Sequence, residues 1–523
     1  MSVEPPSPRT DHSNHGAQRT PAQHEQHEQH EQGDSNTHGA HGAAATDGMR
    51  DHSGHGSQSE QSGQSGQSGQ SEQSEHGSHD MAGMGMDAEE PGAMMAMHHH
   101  MVPWVDLISM GLGAWLVASP ATLGYRSAGL TWSDIASGVL VIIFAALSLW
   151  GRKAWAPYAA TLVGAWLLFA PLIFWAPDAA AYANDTLVGA LVIAFAILIP
   201  HGMEMGGPQI PRGWTYNPST WTQRAPLIVL GLLGFFLSRY MAAYQLGHIP
   251  TAWDPFFGEG TVQVLESEIS KMFPVSDAGL GAAIYLLEVL MTVMGDARRW
   301  RTMPWMVAFF AVLVIPLGVT SIVLVMLQPL AVGTWCTLCL VAALAMLLMV
   351  PLMLDEVVAM AQLVVQRRRE GASLWRTFWL GANQPEGQEA RAARPTDSVS
   401  PAASVWGMTL PWTLVASTLL GGWLLLAPAV LGTEGQSAVA SSDRLVGSLV
   451  ITWAMIALAE VARPVRFLNM PLGLWLVAAP WVLGGAPGIA SGNDVAVGVL
   501  LVALSWPRGA VRECYGGWDR YVR

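Results

Sequence analysis

Two of the chain's three cysteines stand three residues apart in Gly333-Thr334-Trp335-Cys336-Thr337-Leu338-Cys339-Leu340, heading an apolar run from Leu340 to Leu354. On a helix, positions i and i+3 share a face, so the two sulfurs can approach and close a small-ring disulfide. A helix N-terminus also favours the thiolate over the thiol. The pair reads as a redox dithiol at a membrane surface. The other reading is two packed apolar cysteines, since free Cys is among the most buried residue types. Glu266, Glu268 and Asp277 are the nearby acid–base candidates, although loop carboxylates are usually just solvated.

The elements that must position this pair are membrane helices. The 523-residue chain is 51% hydrophobic and only 12% charged, about half the usual charged fraction. Such a composition cannot cover a soluble globule, and apolar runs of transmembrane length recur from Val102 onward. The chain is therefore expected to be an all-α polytopic membrane protein. Its net charge of −13 is scattered over tail and loops, and no basic patch with interleaved aromatics suggests nucleic acid. The N-terminus is polar and lacks the apolar core of a cleavable signal peptide. Three cysteines in so long a chain exclude a disulfide framework.

Residues 1–101 form a low-complexity tail rich in His, Gln, Gly, Ser and Met, with almost no branched apolar side chains. It cannot bury enough surface to fold and is expected to be disordered. Fourteen of the 16 histidines lie there, followed by Met81, Met84, Met86, Met94, Met95, Met97 and Met101. Imidazole suits Zn, Ni and Cu, and thioether suits Cu(I), so a divalent metal or Cu(I) on the tail is chemically sensible. It resembles the His/Met-rich stretches of bacterial copper-handling proteins. The alternative is a merely solvated tail.

Beyond the tail the chain repeats itself. Gly113-Ala114-Trp115 with Ser119-Pro120 recurs as Gly164-Ala165-Trp166 with Ala170-Pro171, and Asp134 and Gly138 recur as Asp185 and Gly189. The C-terminal end repeats it as Gly422-Trp423, Ala427-Pro428, Asp443 and Gly447, then as Leu474-Trp475, Ala479-Pro480, Asp494 and Gly498. Each unit reads as a helical hairpin. Proline is expected to stop the first helix, and the Asp to serve as N-cap or first-turn residue of the second. The pattern resembles the SPW repeat, a small two-helix bacterial membrane unit. The repeats carry no Cys, no His and no paired carboxylates by this reading, so Gly against Trp is expected to mean close packing and interfacial anchoring.

Between the repeat pairs, the Cys336-x-x-Cys339 pair combines with Val264…Ser267…Ser270…Pro274-x-Ser276…Gly279…Tyr285. Residues 225–354 thereby resemble the vitamin K epoxide reductase family of four-helix membrane thiol–quinone oxidoreductases. The resemblance implies a bundle enclosing a quinone, ubiquinone or menaquinone, beside the dithiol. It implies that Cys339 faces the quinone and Cys336 exchanges with an incoming thiol. Many members carry two further relay cysteines in the first outer loop. Here that loop has none, and Thr261 stands just before Val262.

The expected organisation is a tail (1–101), an SPW repeat pair (102–200), an oxidoreductase-like bundle (213–366), a cytoplasmic linker (367–409), a second SPW pair (410–508) and a C-terminal tail (509–523). Two spans per repeat and four in the bundle make about twelve. With the N-terminus inside, only Arg126, Arg239, Lys271 and Arg444 of the 26 Lys and Arg fall outside. The expected location is the bacterial inner membrane, with both termini cytoplasmic and the cysteine pair at the outer face. Cys514 then falls inside and cannot pair with it.

The function expected is passage of electrons from a periplasmic thioredoxin-fold partner through Cys336 and Cys339 to a quinone. The rival is a non-catalytic membrane module in copper-type metal or envelope-stress homeostasis, with the tail as its working part.

Overall fold

A computed structural model describes residues 103–198, 208–383, 394, 400–433, 438–483 and 488–522. The expected disordered, metal-binding tail and part of the expected linker lie outside these residues. Among the described residues all regular structure is helical, apart from two isolated bridges, Trp214 to Tyr515 and Met408 to Ala459. Eleven of these helices are long and apolar enough to cross a membrane. Asp277–Val293, bent by 85° from the segment Gly260–Met272 before it, makes a twelfth candidate if the two are counted as one span.

The first repeat pair consists of α1 (Pro103–Leu123), α2 (Ala128–Leu149), α3 (Ala156–Ile173) and α4 (Ala179–Ile193). The central bundle follows as α5 (Trp221–Gln245), the short α6 (Gly260–Glu266), α7 (Asp277–Val293), α8 (Pro304–Leu327) and α9 (Thr337–Arg369). The second repeat pair is α10 (Trp412–Val430), α11 (Ala438–Ile456), α12 (Asn469–Leu483) and α13 (Gly488–Ser505). Caps follow the expected chemistry at several starts: Ser127, Thr220 and Ser276 accept the backbone N–H of Leu130, Gln223 and Gly279.

Several repeat expectations are corrected. The prolines do not stop their helices. Pro120, Pro171, Pro428 and Pro480 each lie inside the last turn. Proline removes only its own donor there, and in the first repeat the Ser119 hydroxyl donates to the Leu116 carbonyl that Pro120 leaves without a partner (3.1 Å). Nor does Asp134 cap α2. Ser127 does so, and Asp134 lies two turns further in, wholly buried.

The glycines explain the hairpin geometry. A Cβ on Gly113 would stand 2.7 Å from the Gly138 carbonyl oxygen, and one on Gly138 would stand 2.5 Å from that of Gly113. Gly164 and Gly189 repeat this contact, as do Gly473 and Gly498. In the third repeat the contacting residue is Gly421 with Gly447, not Gly422, which faces open space. Backbone meets backbone at each hairpin crossing.

Tryptophan ties the two hairpins of a pair together. Trp115 Nε1 donates to Asn184 Oδ1 (2.7 Å), and Trp166 Nε1 donates back to Ser133 Oγ (2.9 Å). The second pair does the same: Trp423 to Asn493 (2.8 Å) and Trp475 to Ser442 (2.9 Å). Each acceptor is the residue just before the repeat's aspartate. Reciprocal bonds of this kind give each pair an internal two-fold relationship.

The first pair packs on the bundle. Leu172 fills the space over Gly279, and Trp175 Nε1 donates to the Pro274 carbonyl (3.3 Å). At the opposite end of the bundle Arg299 forms a buried ion pair with Glu356 (2.5 Å), which Ser219 also meets. There too Gln362 Nε2 donates to the Tyr515 carbonyl (2.9 Å), so the C-terminal segment is fastened to the bundle.

Candidate functional site

The site begins where α8 gives way to α9. A π turn over Gln328–Val332 ends at Gly333, whose φ of 81° is a left-handed conformation that favours glycine. The chain then turns extended at Cys336, the N-cap residue of α9. Gln328 Oε1 accepts the Cys336 N–H (3.0 Å), and Cys336 Sγ accepts the Cys339 N–H (3.1 Å). Cys336 and Cys339 are joined by a disulfide, with Cα atoms 5.3 Å apart. The sequence placed this pair at a helix start, and the structure agrees. Helix α9 is longer than the apolar run suggests, continuing to Arg369.

The two sulfurs have different surroundings. Cys336 is wholly buried, whereas Cys339 is partly exposed. Cys339 lines a cavity of about 130 Å³ between α5, α7, α8 and α9, with Met241, Leu265, Phe273, Tyr285, Leu317 and Gln328 among its walls. Its Sγ lies 3.5 Å from Met241 Sδ. An apolar cavity of about 150 Å³ holds a benzene ring, so this space is close to the size of a single ring.

Cys336 is covered by the loop before α6. Gly260 packs so tightly that a Cβ there would stand 2.1 Å from the Trp335 carbonyl oxygen. Beside it, Thr261 Oγ1 lies 3.5 Å from Cys336 Sγ. The loop is fastened by Asp254. Its Oδ1 accepts the N–H of Phe256 (3.0 Å) and Phe257 (2.9 Å) and the hydroxyl of Thr337 (2.6 Å). Its Oδ2 accepts the Thr261 hydroxyl (2.7 Å) and the Thr337 N–H (3.0 Å). Burial pushes the Asp254 carboxyl up. The Thr337 hydroxyl and N–H, the Phe257 N–H and the Thr261 hydroxyl outweigh it and hold the group well below the usual carboxylate range. A negative charge here also suits the N-terminus of α9.

Asp254 was missed by sequence reasoning, which saw Asp254-Pro255-Phe256-Phe257-Gly258 only as loop. The available signal was an Asp two and three residues before its own backbone partners, the pattern of an Asx turn. Of the three carboxylates considered beforehand, Asp277 lines the cavity and is engaged by Gln245 (2.6 Å) and Ser270 (2.8 Å). Glu266 accepts the Tyr244 hydroxyl (2.5 Å), and neither it nor the exposed Glu268 is in the cavity wall. Tyr285 donates to the Ala342 carbonyl (2.8 Å), pinning α7 to α9 beside Cys339.

Cys514 forms no disulfide. Tyr515 bonds Gln362, which stands about 39 Å along α9 from Cys336 at 1.5 Å per residue. Among the described residues no group of three or more His, Cys, Asp or Glu is placed to hold a metal ion.

One expectation about the repeats also falls. They do hold paired carboxylates: Asp185 faces Asp134 across the first pair, and Asp443 and Asp494 stand at the matching positions of the second. Residues 51 apart are not paired in the sequence. An internal two-fold brings matched positions together.

No curated protein and no solved structure matches the chain. Family models do match it in three places. Residues 103–199 and 411–506 match the SPW repeat domain, and residues 225–354 match the Vitamin K epoxide reductase family. The last match covers the whole of the cavity and its disulfide. A stretch that matches the vitamin K epoxide reductase family thus lies between two that match the SPW repeat domain.

Proposed function

We propose that the chain is a membrane thiol–quinone oxidoreductase in which Cys336 and Cys339 pass electrons from an outside dithiol to a quinone. The observation that carries this reading is the placement of Cys339. It is bonded to the buried Cys336 on one side and lines a ring-sized apolar cavity on the other.

The exchange half follows from disulfide chemistry. A partner thiolate attacks Cys336 Sγ, the Cys336–Cys339 bond breaks, and Cys339 leaves as thiolate. The partner's second thiol then displaces Cys336, so the partner departs oxidised and the pair is left as a dithiol. Because Cys336 is wholly buried, the loop holding Asp254 and Thr261 must lift for the first attack. The Cys339 N–H at the start of α9 meets Cys336 Sγ and favours the thiolate that Cys336 becomes. The cavity walls exclude water and orient the head group. A quinone bound there supplies acceptance of two electrons and two protons, returning the pair to the disulfide.

The partner of this reading is a periplasmic thioredoxin-fold protein. The location is the bacterial inner membrane, with both termini cytoplasmic, supported by the Lys and Arg bias between loops. The quinone is ubiquinone or menaquinone. The test is quinol formation by the purified full chain with a dithiol donor, using each quinone. Activity lost in both Cys336→Ala and Cys339→Ala is expected, and equal turnover in the wild-type and double-alanine chains would overturn the reading.

A further inference from the structure

The first repeat pair buries two acidic side chains at its internal two-fold. Asp134 on α2 and Asp185 on α4 are each 0% exposed. Both oxygens of Asp134 and one of Asp185 lack any hydrogen-bond partner among the described residues. The other Asp185 oxygen meets the Tyr125 hydroxyl and the Asn184 amide, both at 3.4 Å. Asn184 also donates to Tyr125 (3.0 Å) and Ser119 (3.3 Å). Among the described residues no cation is recorded in this group, and the nearby Arg126 pairs with Asp178 (2.5 Å). The two carboxylates and burial push the Tyr125 hydroxyl up, so it stays a neutral donor.

The second pair repeats the arrangement with Asp443, 3% exposed, and Asp494, 1% exposed. Each keeps one oxygen unpartnered, and Asn493 donates to Asp494 (3.2 Å). Arg444 lies next to Asp443. In the first pair, where no cation is recorded against either aspartate, two facing carboxylates cannot both be charged inside a low-dielectric membrane segment, because repulsion and desolvation add. One added proton removes a charge and supplies the missing donor between them.

We propose that Asp134 and Asp185 form a proton-binding dyad inside the first SPW repeat pair, holding one proton between two carboxyls. The proposal is independent of the thiol chemistry. The dyad is what the aspartate of each repeat is for, and it needs two repeats to exist.

Infrared spectroscopy of the full chain in lipid tests it. At neutral pH the wild-type protein should show the C=O stretch of a protonated carboxyl, shifted in deuterated buffer and unchanged by sodium or potassium chloride. The combined Asp134→Asn and Asp185→Asn chain, which keeps size and donors, should lose part of that band. A band identical in the two chains, or one that sodium or potassium abolishes, would overturn the proposal, the latter in favour of a cation site. Should the double variant not fold, a hydrophobic carbodiimide on the wild-type chain decides. It modifies protonated carboxyls, so an adduct on Asp134 or Asp185 with exposed Glu259 untouched is the expected result. No adduct on either Asp134 or Asp185 would overturn it.

Discussion

The Thr261 hydroxyl lies 3.5 Å from the sulfur of Cys336. Position 261 thus already touches the buried member of the cysteine pair, and a sulfur there would be within reach of it. Thr261→Cys should therefore form a disulfide between the introduced thiol and Cys336, leaving Cys339 free. Peptide mapping of the oxidised variant after alkylation checks this. Recovery of the 336–339 link alone would show that the loop holds position 261 too far away to react.

Without a relay, an incoming thiolate must reach Cys336 itself. Cys339→Ala should accumulate a covalent complex with a periplasmic partner through Cys336, and Cys336→Ala should accumulate none. A non-reducing gel of each variant, alkylated at low pH, reads the difference. Identical behaviour of both variants would mean that the sulfurs only pack.

Asp254 holds five donors and one loop. Asp254→Ala should cost about 2 kcal/mol of stability, because buried donors lose their acceptor and α9 loses a partner at its N-terminus. It should also speed alkylation of Cys336 after reduction several-fold, since the cover is loosened.

The same carboxyl sets an acid limit. Its folded value lies below the unfolded one, near 3.9 for a free Asp. The stability it contributes is therefore complete above about pH 4 and fades as pH falls toward the folded value. Melting followed from neutral to acidic buffer should stay level and then drop, and the drop should be smaller in Asp254→Asn.

The glycine contacts predict a contrast within one helix. Gly421→Ala puts a methyl 2.8 Å from the Gly447 carbonyl oxygen and should destabilise by about 1–3 kcal/mol. Gly422→Ala meets nothing within 4 Å and should be neutral or stabilising by about 0.5–1 kcal/mol. Thermal unfolding of the two variants side by side checks it.

Much of this was legible in the residues, and the reason is periodicity. Apolar runs of membrane length, recurring Gly and Trp, and a Cys pair before a long apolar stretch are local patterns, and each produced the helix expected. What stayed hidden depends on partners far apart in sequence. Asp254 is defined by Thr337, 83 residues on, and Asp134 by Asp185 in the next repeat. The aspartate was read as a cap because a cap is the local use of that residue. The longer reach of α9 was missed because its last turns, with Asp355, Glu356 and three arginines, leave the apolar pattern while staying helical. Glu356 is affordable there only because Arg299 meets it.

The reciprocal Trp115–Asn184 and Trp166–Ser133 bonds have a topological corollary. A lone hairpin would leave its tryptophan, its polar acceptor and its buried aspartate all wanting a mate, so these units are viable only in twos. A pair crosses the bilayer four times, an even number, and returns the chain to the side from which it set out. A pair can therefore be joined to either flank of a redox bundle, or removed, without turning the bundle upside down.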